Sequence, residues 1–256
     1  MVEALHKLGG IPIKPILAES MQMGDENHTR QTACDYIYDR LMLPALFELD
    51  RPKKEIMKTV RYIVDTPRFF HCYGQAAARA ALVAADGTEY STMVTAVCGN
   101  GVEFGIKIAS LPGQWFTAPA PMMKGRYTSS EFTEKDQLPW MGDSCVVECY
   151  GMGGFAAAAS PIVCNLRGMT LKESIGQTKE MYRITMEKNY NFPIPNLDFD
   201  FLPVGIDIRK VLKEGVCPAI HGGMFNRVGG LIGAGMARVP MQCFEKALVA
   251  FGEKYL

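Results

Sequence analysis

Apolar residues recur at helical spacing through the N-terminal third of the chain and shift toward a period of two after Thr92, so helices are predicted first and strands later. Met1 to Leu8 reads as a short apolar helix broken by Gly9-Gly10, and I-P-I-K-P-I-L-A, Ile11 to Ala18, reads as extended because its prolines interrupt it. This opening resembles the middle of a larger protein, and an upstream portion or a second chain is expected to complete it. A helix running to about Leu49 carries Ala33, Ile37, Leu41, Ala45 and Leu49 at spacings of four, with a bend expected at Pro44 and a cap from Asp25 or Asn27. A second helix follows Pro52. A third starts near Pro67, carries Phe70, Tyr73, Ala77, Ala80 and Ala84, and stops at Asp86-Gly87. Residues 25–86 are therefore predicted as a helical insert in a core made of residues 1–24 and 87–256.

In that core, T-M-V-T-A-V-C and V-E-F-G-I-K-I flank Gly99-Asn100-Gly101, a glycine-rich hairpin signal. The three prolines between Leu111 and Pro121 forbid a central strand, leaving an irregular or edge segment anchored by Trp115 and Phe116. Thr170-Leu-Lys-Glu173 is a capping box, opening a helix whose inner face is expected to hold Leu171, Ile175, Thr178, Tyr182 and Met186. Asn191 to Phe199 reads as extended, Asp207 as the cap of a short helix ending near Gly215, and His221 as a strand end beside Gly222-Gly223. Pro240 opens a terminal helix with Phe244, Leu248 and Phe251 inside. Helices and strands do not alternate as β-α units, so the fold class is α+β: a mixed sheet with glycine-rich turns and packed helices.

Charge balance narrows the partners. The 256 residues carry 27 basic and 27 acidic side chains, which gives no support to a nucleic-acid or anionic membrane surface. No apolar run reaches the roughly eighteen residues of a spanning helix, and the start lacks the order of a signal peptide, so a soluble cytoplasmic protein is expected. The eight cysteines are dispersed and read as reduced thiols; Cys145 and Cys149 lack companions for a zinc site.

Candidate chemistry gathers on Gly142 to Pro161, G-D-S-C-V-V-E-C-Y-G-M-G-G-F-A-A-A-A-S-P. Gly151, Gly153 and Gly154 run into a strongly helix-forming sequence, and the amides of such a helix start can hold a carboxylate or phosphate. Asp143, Ser144 and Glu148 lie beside them, although neither a P-loop nor G-x-G-x-x-G is present. In M-G-D-E-N-H-T-R, Met23 to Arg30, His28 is a candidate for proton transfer with Glu26 and Arg30 beside it, and His221 is the second. Arg30, Lys107, Arg126, Arg209 or Arg238 can supply counter-charge to an anion, and Asn100 can contact a ligand from its glycine-flanked turn. Each also has a structural role open to it: glycines for packing, His28 and the acids for helix starts, Asn100 for the turn, Lys107 as a solvated strand residue. A further reading places a divalent metal on Asp25, Glu26 and His28, as in a metal-assisted amidohydrolase; otherwise no cofactor is expected.

Together M-G-D-E-N-H-T-R, C-G-N-G-V-E-F-G-I-K with L-P-G-Q-W-F-T-A-P-A-P, G-D-S-C-V-V-E-C-Y-G-M-G-G-F-A, V-G-I-D-I-R-K-V and I-G-A-G-M-A-R-V-P-M-Q-C-F resemble the AllG/YlbE-like family, over essentially the whole chain and in the family's order. The resemblance implies a subunit of oxamate carbamoyltransferase, an enzyme of anaerobic allantoin and purine catabolism that phosphorolyses oxalurate to oxamate and carbamoyl phosphate. It implies partner subunits, one of them related to acyl-CoA synthetases, and a homo-oligomer is expected. Typical relatives are longer, with an extra N-terminal α/β portion. The S-T-R-T phosphate motif of aspartate and ornithine carbamoyltransferases is absent, so shared chemistry would be convergent. A non-catalytic scaffold or ligand-binding subunit is the alternative within the same complex.

Overall fold

Helix signals dominate up to Ala84, and a computed structural model describing residues 1–256 places five helices there: α1 Val2–Lys7, α2 Ile13–Gln22, α3 Thr32–Phe47, α4 Lys53–Val64 and α5 His71–Val83. Ile11–Ala18 is thus largely helical rather than extended. Pro15 falls in the first turn of α2, where a backbone N–H has no intrahelical partner to lose, so the proline is compatible with the helix. Asp25 caps α3 as expected, its Oδ2 accepting from the Ala33 and Cys34 amides at 2.8 and 3.0 Å. The helix continues through Pro44.

The α+β class holds, and its strands form three separate antiparallel sheets instead of one mixed sheet. The first orders β3 (Phe116–Pro119), β2 (Glu103–Ile108), β1 (Val94–Asn100) and β5 (Met141–Gly142). The hairpin turns at Gly101, which takes a φ of +86° that favours glycine. The second sheet orders β4 (Lys124–Tyr127), β9 (Leu231–Arg238) and β8 (Ala219–Phe225); the third pairs β6 (Thr185–Ile194) with β7 (Asp200–Ile206). The remaining helices are α6 Val146–Cys149, α7 Pro161–Leu166, α8 Leu171–Met181, α9 Ile208–Glu214 and α10 Met241–Tyr255. The predicted caps at Thr170 and Asp207 are both made, and Gly215 ends α9 in the left-handed region.

One hydrophobic core runs from the helices through β1 and β2 to α10. Phe155, Phe192 and Phe244 are fully buried in it, each contributing roughly 1.5–3 kcal/mol of transfer free energy. Phe116 anchors the edge strand, but Trp115 is 45% exposed and carries Lys107 over its ring. The inner face of α8 is Ser174, Gln177, Thr178 and Met181, while Leu171 and Met186 face outward. That face receives the polar groups of the neighbouring alanine segment, with Thr178 Oγ1 accepting the Ala158 amide, so its polar residues belong inside.

Trp140 joins the first two sheets. A Cβ at Gly99 would stand 2.7 Å from its ring and one at Gly222 only 2.8 Å, so both positions require glycine for the indole to lie between β1 and β8. Near this junction lie the groups that carry chemistry.

A buried relay beside a cavity

The glycine turn expected to hold a ligand anion holds one of the protein's own. The Gly154 amide donates to Glu148 Oε1 at 3.0 Å, the Gly153 amide to the Glu26 carbonyl at 2.6 Å and the Gly151 amide to the Glu148 carbonyl at 3.0 Å. Gly153 has a φ of +57°, and a Cβ there would overlap the Glu148 carboxylate. Gly153 to Ala159 forms a wholly buried 3-10 segment. Free amides at such a turn do attract an anion, but here the Glu148 carboxylate, three residues before Gly151, and the Glu26 and Glu148 carbonyls already satisfy them.

Glu148 organises what surrounds it. Its Oε1 also accepts the His221 backbone amide at 2.8 Å and pairs with His28 Nδ1 at 2.8 Å. On the other edge of the imidazole, His28 Nε2 lies 2.8 Å from Ser144 Oγ. Ser144, His28 and Glu148 therefore form a hydroxyl–imidazole–carboxylate relay. The histidine comes from the loop before α3, and the serine and glutamate from the turn and helix following β5. His28 and Glu148 are buried, and Ser144 is half-buried.

A second carboxylate fixes the histidine loop from behind. Glu26 Oε1 accepts the His28 amide at 3.2 Å, the Arg30 amide at 2.8 Å and the Thr29 amide, while Oε2 pairs with His221 Nδ1 at 3.1 Å. His221 sits in the middle of β8, not at a strand end, and is fully buried. Arg167, also buried, donates to the Gly235 carbonyl at 3.0 Å and to Thr29 Oγ1.

These contacts decide the protonation states. Burial pulls His221 down, Arg167 adds to the effect, and its pKa settles at about 3, so it stays neutral. Its Nδ1–H then donates to Glu26, and its Nε2 accepts from Gln177 at 3.0 Å. Burial pushes Glu26 up, but the His221 bond and the Arg167 charge outweigh it and hold the carboxylate at about 2. For His28, burial acts downward, yet the Glu148 charge and hydrogen bond dominate and raise it above the ordinary 6.5. Burial also raises Glu148. The His28–Glu148 pair thus grips a shared proton more tightly than a free imidazole does.

Beyond Ser144 and His28 opens a cavity of about 410 Å³. Trp140, Gly222, Gly223, Phe225 and Leu231 form much of its wall, with Arg68, His71 and Thr29 adding polar groups. Arg68 has a left-handed φ of +66°, its amide bound by the Asp35 carboxylate at 2.7 Å, and its guanidinium makes no ion pair within 4 Å. His71 stacks 6.0 Å from His28 and is held neutral, at about 4, chiefly by burial.

The structure brings together Glu26, His28, Ser144, Glu148, Gly153, Gly154 and His221, and disperses the other candidates. Arg30 pairs with Asp25 at 3.0 Å. Asn100 folds its side chain onto the Val102 and Glu103 amides as a turn residue. Lys107 and the exposed Asp143 line a separate cavity of about 470 Å³ with Arg79, Cys98 and Trp115. Arg209 is neutralised by Asp207 at 2.9 Å, and Arg238 by Glu180 at 2.6 Å at the far end of β9. Arg126 lies on the edge strand β4. The metal reading loses its ligands, because Asp25 and Glu26 spend their oxygens on amides, Arg30 and His221. No cluster of three or more histidine, cysteine or acidic side chains is arranged to hold an ion. All eight cysteines are free. Sequence reasoning missed Arg68, His71, Trp140 and Arg167. Only Gly99 and Gly222, which clasp Trp140, offered a signal, since a tight spot implies something large beside it.

Fold and site together define an α+β protein whose buried imidazole–carboxylate pair presents a hydroxyl to a cavity. The chain belongs to the family described as oxamate carbamoyltransferase subunit AllG, which matches residues 1–144. It is 35% identical to the oxamate carbamoyltransferase subunit AllG of Escherichia coli K12 over 95% of this chain and 59% of that protein. It is 36% identical to the uncharacterized protein YahG of the same organism, over 99% of this chain and 54% of that one. The crystal structure of a conserved protein of unknown function from Enterococcus faecalis V583 superposes with a TM-score of 0.94 at 35% identity, covering 98% of this chain and 61% of that one. The chain thus spans between half and two thirds of the length of these relatives. No helix is long and apolar enough to cross a membrane.

Proposed function

We propose that this chain carries the reaction site of an oxamate-carbamoyltransferase-like complex, in which phosphate cleaves oxalurate or a related ureide to an oxamate-like amide and carbamoyl phosphate. The single observation behind this reading is that His28 lies between a buried carboxylate and a half-buried hydroxyl at the wall of a cavity that also holds the unpaired Arg68. Carbamoyl transfer to phosphate needs a group that delivers a proton to the leaving amide nitrogen and a cation for an anionic substrate. His28 supplies the first and the Arg68 guanidinium fork the second. Family membership supports the substrate class, and the E. coli relative's description as a subunit supports assembly with others. We assign this chain to a cytoplasmic complex of allantoin and purine catabolism, in which copies of it form a homo-oligomer that associates with other subunits, one of them acyl-CoA-synthetase-like.

The test uses the full-length protein assembled with its partner subunits, given oxalurate and phosphate, with carbamoyl phosphate measured. His28→Ala should lower the rate by about 100-fold or more, the scale of general acid–base catalysis, while assembly persists. An unchanged rate would transfer the chemistry to another subunit and leave this chain the scaffold or ligand-binding role.

A further inference from the structure

The relay contains more than proton transfer requires. Ser144 stands on a strand–turn–helix junction between β5 and α6, following Gly142, whose φ is +129°. It thereby directs a hydroxyl at the imidazole from the cavity side. Nucleophilic serines on unrelated folds occupy the same kind of turn, although here the sequence is G-D-S-C-V and not G-x-S-x-G. Each neighbouring distance matches a hydroxyl made nucleophilic by an oriented base, 2.8 Å from Oγ to Nε2 and 2.8 Å from Nδ1 to carboxylate. A histidine that only braced the loop would need neither the hydroxyl nor the opening.

We propose that Ser144 is a covalent nucleophile that takes up the carbamoyl group before phosphate does, which rests on the reading of this cavity as the reaction site. Ser144 Oγ adds to the carbamoyl carbon and passes its proton to His28 Nε2. The bond from that carbon to the leaving amide nitrogen breaks, and the nitrogen takes the proton from Nε2. A carbamoyl ester on Oγ and a neutral amide result. A phosphate oxygen then adds to the ester carbon, the carbon–Oγ bond breaks, and the proton of hydrogen phosphate returns to Oγ through Nε2. One ureide and one phosphate give one amide and one carbamoyl phosphate. Glu148 acts as a positioning residue, holding Nδ1 so that Nε2 faces the hydroxyl.

The experiment needs neither partner subunit nor natural substrate. The protein is treated with p-nitrophenyl carbamate without phosphate, p-nitrophenolate release is followed, and peptides are mapped for a carbamoyl group. The expected result is a burst of one equivalent per chain, the label on Ser144, and discharge of the label by added phosphate. Ser144→Ala should abolish burst and label, and His28→Gln should slow them by about 100-fold or more.

The pH profile separates catalysis from mere packing. The groups facing His28 are Glu148, Glu26, Arg167, His71 and His221. Labelling should rise with pH above the ordinary histidine value, because the base works only after the His28–Glu148 pair loses its proton. Glu148→Gln should move that rise to lower pH while reducing the plateau. No burst in the wild-type protein, or an equal burst in Ser144→Ala, overturns the nucleophile. If Ser144 is labelled while the assembled complex leaves oxalurate intact, the nucleophile stands and the substrate reading falls. Normal phosphorolysis by a Ser144→Ala complex does the reverse.

Discussion

Two glycine-rich regions look alike in sequence and do opposite things. At Gly153-Gly154 the missing side chains let the Glu148 carboxylate close on the Gly154 amide and the Glu26 carbonyl on the Gly153 amide, leaving no room for a ligand. At Gly222-Gly223 the missing side chain admits the Trp140 ring against β8, and the space beside that ring is the cavity. Glycine therefore announces a close approach, and the identity of the approaching group decides whether the spot is a support or an opening. The first region holds Glu148, and Glu148 holds His28 toward the second.

Breaking the first region should cost the most. A methyl at Gly154 would run into the Ala219 carbonyl, a backbone atom that no rotamer change can move, so Gly154→Ala should lose about 3 kcal/mol in urea denaturation or fail to fold.

Acid should attack the same region. His221 has a folded pKa depressed to about 3 against 6.5 unfolded, so its contribution to stability is present above 6.5 and lost as pH falls toward 3. Glu26, depressed from 4.5 to about 2, adds a loss beginning below 4.5. Melting temperature measured from pH 7 to 4 should fall less steeply in His221→Gln than in the wild type, and equal slopes would count against a neutral buried His221.

The second region should respond in function more than in stability. Gly222→Ala brings a methyl 2.8 Å from the edge of the Trp140 ring, a side chain that can shift, so the cost should be about 1–2 kcal/mol. The displaced indole narrows the cavity, and turnover of the assembled complex should fall about tenfold, more than the stability loss explains. Arg238→Ala is the far control: the Glu180 pair it breaks is about one-third exposed and worth less than about 1 kcal/mol, and turnover should stay within about twofold.

The fold class, the α3 cap, the β1–β2 hairpin, the capping box at Thr170 and the Asp207 cap were legible because each rests on residues close in sequence. His28 stood out as a candidate as well, since all six positions from Asp25 to Arg30 are polar or ionisable. Its partners were not. Glu148 lies 120 residues away, and nothing local says that a carboxylate beside a glycine turn will fill it. The proline-bearing α2 was misread because proline breaks a helix interior but not its first turn. Trp115 and Trp140 show the same limit: both were large and apolar in sequence, yet only the one met by glycines from two sheets is buried.

Soaking crystals of the full-length protein with oxamate and phosphate tests the central contrast most directly. The account predicts ligand density in the cavity, with a carboxylate or phosphate on Arg68 and the amide within reach of Ser144 Oγ, and none on the Gly151–Gly154 turn. Density on that turn with the Glu148 side chain swung away, or an empty cavity with ligand bound elsewhere, would contradict it.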